Sequence, residues 1–229
     1  MYYKVKKNAL DFIFALLLLF LSLPLVIILL LVTSFITKQF PIIIQERKSS
    51  LSSRKIRMIK IRTIKGTVTV VGAVNDSERI LYRRDLKKYV PPFCRWLRKS
   101  GLDEITQLIN VLKGEMSLVG PRPLTISDLK IMKEYEPEIY RRRERLKSKP
   151  GITGYWQIFG DRSRGLENLV ASDEYYENNK SFLLDLKLLL STIVLVMTAK
   201  HSDSIIDSQM IDVRGSKKVV PGLRELWID

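Results

Sequence analysis

The most persistent pattern along the chain is an unbroken apolar run. Residues 12–35 read FIFALLLLFLSLPLVIILLLVTSF, 24 positions without a charge. A run of that length, apolar on every side, predicts a membrane-embedded helix rather than the core helix of a small domain. It is too long for the apolar part of a secretory leader, and no small-residue cleavage site separates it from the basic stretch beyond. Pro24 sits near the middle, with 12 residues of the run before it and 11 after. A proline there removes one backbone hydrogen bond and kinks a helix, and Ser22 is close enough to satisfy a freed carbonyl. Both flanks are basic: Lys4, Lys6 and Lys7 stand against Asp11 on one side, and nine Lys or Arg stand against Glu46 alone in residues 37–65. A spanning helix is expected to leave its basic flank on the cytoplasmic side only. The residues therefore leave two arrangements open, a simple span and a hairpin that enters and leaves the same leaflet.

Beyond the run the pattern shortens. Residues 39–64 predict a strand pair, with the apolar Pro41-Ile42-Ile43-Ile44, a turn signal from Ser49 to Ser53, and a second strand over 55–64. On that strand Lys60 and Arg62 share one face and Ile59 and Ile61 the other. Attraction to anionic lipid is the ordinary use of such basic residues, and a phosphate contact the functional one. Residues 66–75 read as a hairpin or loop, and 77–89 as a basic helix closed by Pro91-Pro92. Apolar residues at 102, 105, 108, 109 and 112 predict a helix over 102–112. Two more helices follow over 127–135 and 137–146, then a Gly- and aromatic-containing loop over 151–165, then helix over most of 172–200. The uncharged part of that last helix, 188–199, has 12 residues and is too short to span; with Asp185, Lys187, Ser191 and Thr192 it fits a helix lying in the interface or packed on the core. The tail from His201 onward is mixed, and no internal repeat is present.

Composition narrows the class. Of 229 residues, 39 are Lys or Arg and 24 Asp or Glu, a net charge of +15, yet 46% are hydrophobic. That hydrophobicity excludes a disordered basic tail, and a single long apolar run excludes a polytopic transporter. One cysteine, Cys94, excludes an internal disulfide framework and a multi-Cys metal site; one histidine, His201, excludes a two-His metal motif. Charge chemistry here must run on Asp, Glu, Lys and Arg, with or without a bound metal.

Asp103-Glu104 is the first candidate. Its ordinary reading is a helix start, because Ser100-x-x-Asp103 has the form of a capping box and acids suit a first helical turn. The surroundings argue for more. Arg98, Lys99, Lys113 and Arg122 are close in sequence, and Gly120-Pro121-Arg122-Pro123 is a stiff turn that would fix a guanidinium. Carboxylates that can hold Mg²⁺, beside Arg that can bind oxygens bidentately, suit phosphate chemistry. The second candidate is Lys149-Pro150-Gly151-Ile152-Thr153-Gly154, a plain turn on the ordinary reading. Tyr155, Trp156, Gln157 and Arg162 follow it within eight residues, a set that could stack on and hydrogen-bond a nucleobase and diphosphate.

Taken together, these segments resemble the bacterial sugar transferases, the monotopic phosphoglycosyl transferases that start glycoconjugate assembly. The resemblance runs in order through the apolar segment with Pro24, PIIIQER, KIRTI at 60–64, LDEITQLINVLKGEMSLVGPRP at 102–123, KPGITGYWQ at 149–157 and DEYYENNKSFLLDLKLLL at 173–190. It implies transfer of a sugar-1-phosphate from a UDP-sugar to a polyprenyl (undecaprenyl) phosphate, with release of UMP and a need for Mg²⁺. The nucleophile it implies falls on Asp103, with Glu104 beside it as second catalytic and metal residue; a carboxylate attacking phosphorus makes two-step covalent catalysis chemically sensible. Arg98, Arg122, Lys60 and Arg62 become phosphate ligands, Gln157 and Arg162 nucleotide-sugar ligands, and Ser22 and Pro24 the break of a re-entrant hairpin.

The fold it implies is a mostly helical α/β domain, small and membrane-associated, with interfacial amphipathic helices. Residues 1–38 form the hairpin, 39–200 the catalytic domain and 201–229 a tail, held on the cytoplasmic face of the bacterial inner membrane. Its partners are the donor, the polyprenyl acceptor and membrane lipid, with no nucleic acid; self-association stays open. The chain departs from the family where Leu23 rather than Ser precedes Pro24, where Gly101 stands two residues before Asp103, and where Asp161 interrupts a Gly-Arg pair. A non-catalytic basic protein of the membrane surface is the rival, since the charge of +15 serves it equally well. A family member that has lost activity is the third reading.

Overall fold

A computed structural model describes residues 2–66, 89–161 and 164–199. The expected helix over 77–89 (apart from Tyr89), the expected hairpin or loop over 66–75 (apart from Gly66), Arg162 and the tail from 201 lie outside the described residues. The fold is mostly helical, as expected, with a long apolar N-terminal helix.

That helix, α1, runs over Tyr2–Thr37 with Pro24 inside it. Its 5–37 portion is long and apolar enough to cross a membrane. The interruption expected at Pro24 is not a loop, because helical backbone continues on both sides. By the i to i−4 rule Pro24 leaves the carbonyl of Phe20 without its donor. Ser22 does not supply one there; its hydroxyl donates to the carbonyl of Leu19 at 3.3 Å.

One stripe of α1 is turned toward the protein along the whole length. Asp11, Ala15, Val26, Leu29, Thr33 and Thr37 are buried, with Leu19 and Ser22 half-buried between them, so a residue faces inward every three or four positions on both sides of Pro24. Much of that stripe is polar, while Phe14, Leu17, Phe20, Leu21, Leu25, Ile28, Leu31 and Phe35 are exposed on the remaining surface.

Strands β1 (Ile42–Lys48) and β2 (Ile56–Ile61) pair antiparallel with Ile42 opposite Ile61 and Arg47 opposite Ile56. The Ser-rich turn between them forms as expected: the Ser53 hydroxyl accepts from the N–H groups of Ser49 and Ser50 at 3.1 Å each. A short strand β4 (Leu124–Thr125) lies on the other side of β1, leaving β2 at the edge. Side chains satisfy that edge. The Asn110 amide accepts from the Ile59 N–H at 3.1 Å and donates to the Arg57 carbonyl at 2.8 Å, and the Thr106 hydroxyl donates to the Ile59 carbonyl at 2.9 Å. The segment 102–112 is thereby fixed to the sheet.

It is not the single helix that its periodicity suggests. Helix α2 (Pro92–Ser100) ends on Gly101, which sits at φ 76° in the left-handed region; a 3-10 helix follows over Leu102–Gln107 and α3 over Leu108–Leu112. The expected capping box at Ser100 is absent. Ser100 is the last residue of α2, and its hydroxyl donates to Leu97 at 2.9 Å and accepts from the Leu102 N–H at 3.4 Å. Gly101 reverses the chain at once, so Asp103 does not cap the preceding turn.

Strand β3 (Ser117–Val119) pairs in parallel with β5 (Gly151–Thr153). Residues 151–165, read as loop, thus contain a strand and a short helix, α6 (Tyr155–Phe159). A β-carbon on Gly120, Gly151 or Gly154 would stand 2.1–2.2 Å from backbone atoms of the opposing segment. The glycines of both motifs therefore allow backbone to lie on backbone, which periodicity does not signal. Before β5 come α4 (Ile126–Tyr135), with a Thr125–Asp128 capping box, and α5 (Pro137–Glu144).

The expected helix over 172–200 is two: α7 (Gly165–Asn179) and α8 (Phe182–Thr198), the second capped by Ser181. On α8 Asp185, Leu188, Ser191 and Leu195 are buried, while Leu183, Leu186, Leu190, Ile193 and Met197 are exposed. As on α1, polar groups point inward and a full apolar face points out. The two helices meet at Asp185, which accepts from the Tyr3 hydroxyl at 2.8 Å, the Lys7 ammonium at 2.7 Å and the Tyr176 hydroxyl at 2.8 Å. Ser117 on β3 donates to Asp11 at 2.6 Å. Buried polar bonds such as these fix α1 to the domain more specifically than apolar packing would.

Candidate active site

The acidic pair sits on the first turn of the 3-10 helix, directly after the Gly101 reversal. Asp103 and Glu104 are each only 7% exposed, which is rare for carboxylates that do no more than start a helix. Lys60, from the sheet edge, forms an ion pair with Glu104. The Asn110 and Thr106 bonds to β2 hold the 3-10 helix where this pairing can form. Arg98, one turn before on α2, donates to the Thr63 hydroxyl at 3.1 Å. Buried Cys94 lies within electrostatic reach of both Arg98 and Asp103: burial pushes its thiol up, Arg98 opposes that shift and Asp103 adds to it. Lys60, Arg98, Asp103 and Glu104 thus belong to one neighbourhood. Arg62 is placed differently. Its Nε donates to the Phe40 carbonyl at 2.8 Å on an exposed bond, fixing the link between α1 and β1.

The Pro121-Arg122-Pro123 turn is held by a pair that the sequence reading did not single out. Arg143, fully buried on α5, donates to the Ser49 carbonyl at 2.7 Å, to the Asp173 carboxylate at 3.0 Å and to the Arg122 carbonyl. Asp173 in turn accepts from the Arg122 N–H at 3.4 Å. The backbone of Arg122 is therefore gripped from both sides, and the residue as a whole is half-buried. Burial works against both charges of the pair, pulling Arg143 down and pushing Asp173 up to about 6, and both remain ionised at pH 7. Within Arg141-Arg142-Arg143, Arg143 shares a face of α5 with Tyr140, and the burial of that tyrosine, which the sequence does not show, singles it out. The other two form ion pairs, Arg141 with Glu138 and Arg142 with Glu167 and Glu174.

Gln157 is buried on α6, with its Oε1 3.0 Å from where a β-carbon of Gly154 would stand. It lies where the two glycine segments cross, because the same position on Gly154 is 2.1 Å from the Gly120 carbonyl. Its expected companion Arg162 is outside the described residues. Among the described residues no group of three or more His, Cys, Asp and Glu side chains could hold a metal. Among the described residues a cation site would therefore draw on no more than two carboxylates, as the Asp103-Glu104 pair offers. That fits Mg²⁺, which takes one or two carboxylates and completes its shell with water and substrate phosphates.

A buried carboxylate pair beside a lysine, a braced arginine turn and two helices with outward apolar faces make up the candidate site and its surroundings. The family model of the bacterial sugar transferases matches residues 2–199, and the chain belongs to that family. Among its relatives is the exopolysaccharide production protein ExoY of Sinorhizobium fredii, 42% identical over 46% of this chain and 44% of that protein. The UDP-galactose-lipid carrier transferase of Erwinia amylovora is 33% identical over 83% of this chain and 40% of its own length. The undecaprenyl-phosphate galactose phosphotransferase of Salmonella typhimurium is 39% identical over 45% of this chain and 20% of its own. The chain thus spans less than half the length of each of these three relatives.

Proposed function

We propose that this protein transfers a sugar-1-phosphate from a UDP-sugar to a polyprenyl phosphate on the cytoplasmic face of the inner membrane, by way of a phosphosugar carried on Asp103. The observation that carries this reading is the Asp103-Glu104 pair itself, buried beside Lys60 and outside the capping box that the sequence suggests. The names of the Erwinia and Salmonella relatives agree with it in donor and carrier chemistry.

In the first step an Asp103 carboxylate oxygen attacks the β-phosphorus of the donor. The bond from that phosphorus to the bridging oxygen breaks, and UMP leaves with the electron pair. In the second step an oxygen of the polyprenyl phosphate attacks the same phosphorus, Asp103 leaves as a carboxylate, and a polyprenyl diphosphosugar is formed. Lys60 neutralises Glu104, which lowers the repulsion an anionic donor meets at the pair. Arg122 offers a planar fork to phosphate oxygens from a braced backbone. Arg98 supports the same charge from α2. Asp103 and Glu104 would hold Mg²⁺, which when bound would further neutralise the diphosphate.

Three features support a monotopic seat. The inward stripe of α1 continues on both sides of Pro24, so residues 11–37 lie along the domain rather than leaving it. The flanks are basic at both ends. The apolar face of α8 adds to that of α1 through their shared contact at Asp185. An acceptor whose phosphate stays at the interface then meets a site at the same surface. Purified protein, polyprenyl phosphate and Mg²⁺ mixed with a panel of UDP-sugars, UDP-galactose first, should release UMP with at least one donor. No release with any donor, from protein that is folded, would remove this function.

A further inference from the structure

The turn that carries the acidic pair holds one more polar side chain, so far without a role. Gln107 ends the 3-10 helix, is 1% exposed, and its amide nitrogen has no hydrogen-bond partner among the described residues. Its neighbours use their polar groups on β2, Thr106 on the Ile59 carbonyl and Asn110 on Ile59 and Arg57. In a 3-10 helix, side chains three apart eclipse, so Gln107 stands one turn along on the face of Glu104, whose carboxylate is engaged by Lys60. A buried donor without an acceptor weakens a fold and calls for a reason, and beside a candidate active site a ligand oxygen is one such reason.

We infer that the Gln107 amide donates to a phosphoryl oxygen at the Asp103-Glu104 site, on the donor or on the phosphosugar carried by Asp103. The inference rests on the function proposed above. An amide suits that place chemically. It offers N–H to an anion without adding a charge that would compete with Lys60 for Glu104, and it neither gains nor loses a proton near neutrality.

The test uses the full chain in lipid nanodiscs and the variant Gln107→Met, which keeps an unbranched side chain of similar length and removes the donor. Gln107→Leu is measured beside it, so that the fit of one side chain does not decide the outcome. Three quantities are read: Tm, UMP release, and the rise in Tm on adding pyrophosphate with Mg²⁺. Both variants should keep or raise Tm, lose about tenfold or more in UMP release, and show a smaller pyrophosphate shift than wild type. Gln107→Glu, isosteric but negative, should lose more activity than either. A fall in Tm in both apolar variants would make the amide a structural group and overturn the inference, as would UMP release within about twofold of wild type. Failure of the broader function looks different. Wild-type protein would then release no UMP with any donor, while a pyrophosphate shift that depends on Gln107 would still mark the amide as a phosphate ligand.

Discussion

Asp103 was legible from the sequence as a charged residue in a charged setting, but its task was not, because an acid after Ser100 reads equally well as a cap. Gly101 separates the two possibilities: at φ 76° it ends one helix and starts the next, and Ser100 turns back to Leu97. Asp103→Asn should therefore abolish UMP release, with a loss of several orders of magnitude, while Tm stays near wild type. Retention of normal turnover would leave Asp103 without a chemical role. Arg122 is a different case, since its side chain is the proposed phosphate ligand while its backbone is held by Arg143 and Asp173. Arg122→Lys keeps the charge but loses the fork, which should cost about 2 kcal/mol, or roughly 30-fold in kcat/KM.

The Asp173 brace also gives a pH dependence with a definite sign. Its carboxyl is raised from 3.8 to about 6, so as the pH falls through about 6 the charge facing Arg143 is lost and the turn loosens. Taken by itself, a carboxyl with a raised folded-state pKa takes up its proton first in the folded state. Its contribution to stability therefore grows as the pH falls from about 6 toward 3.8. The acid limb of kcat/KM should accordingly appear near pH 6 without a fall in Tm over the same range, and a parallel fall in Tm would assign the limb to unfolding.

At the scale of elements, periodicity located the hairpin of β1 and β2 and the helices α4, α5 and α8, because each buries one face and shows it. It missed β3 and β5, whose few residues are buried almost throughout and whose pairing partner lies 34 residues away. That pairing makes the two glycine motifs a single unit. Gly120→Ala or Gly151→Ala would drive a β-carbon to 2.1–2.2 Å from backbone, which no rotamer change relieves. Each should cost about 1–3 kcal/mol or more of stability, read as a drop in Tm. Because Arg122 follows Gly120 by two residues, activity should fall below what the stability loss alone explains. An alanine at either site with unchanged Tm would show that the two segments can separate freely.

At the scale of the whole molecule, α1 and α8 are both built inside out, and on the proposed monotopic reading their apolar faces together seat the protein on the membrane. A cysteine in place of exposed Asn8 and one in place of exposed Lys38, each in a Cys94→Ala background, should both resist a membrane-impermeant thiol reagent added to intact cells. Labelling of one from outside with protection of the other would establish a span and end the monotopic reading.

By itself the sequence determined that there is one long apolar segment with basic flanks, that the domain behind it is mostly helical, and which string of residues carries the acidic pair. Each of those follows from local composition or from a periodicity that burial imposes on a single element. Only the tertiary structure decided which face of α1 turns inward, since a run apolar all round has no moment to read. It also decided that Arg143 rather than Arg141 or Arg142 is buried on Asp173, and that Asn110 closes the edge of β2 to bring Glu104 against Lys60. These contacts join residues 30 to 51 positions apart, and no local signal in the chain ranks one such pairing above another.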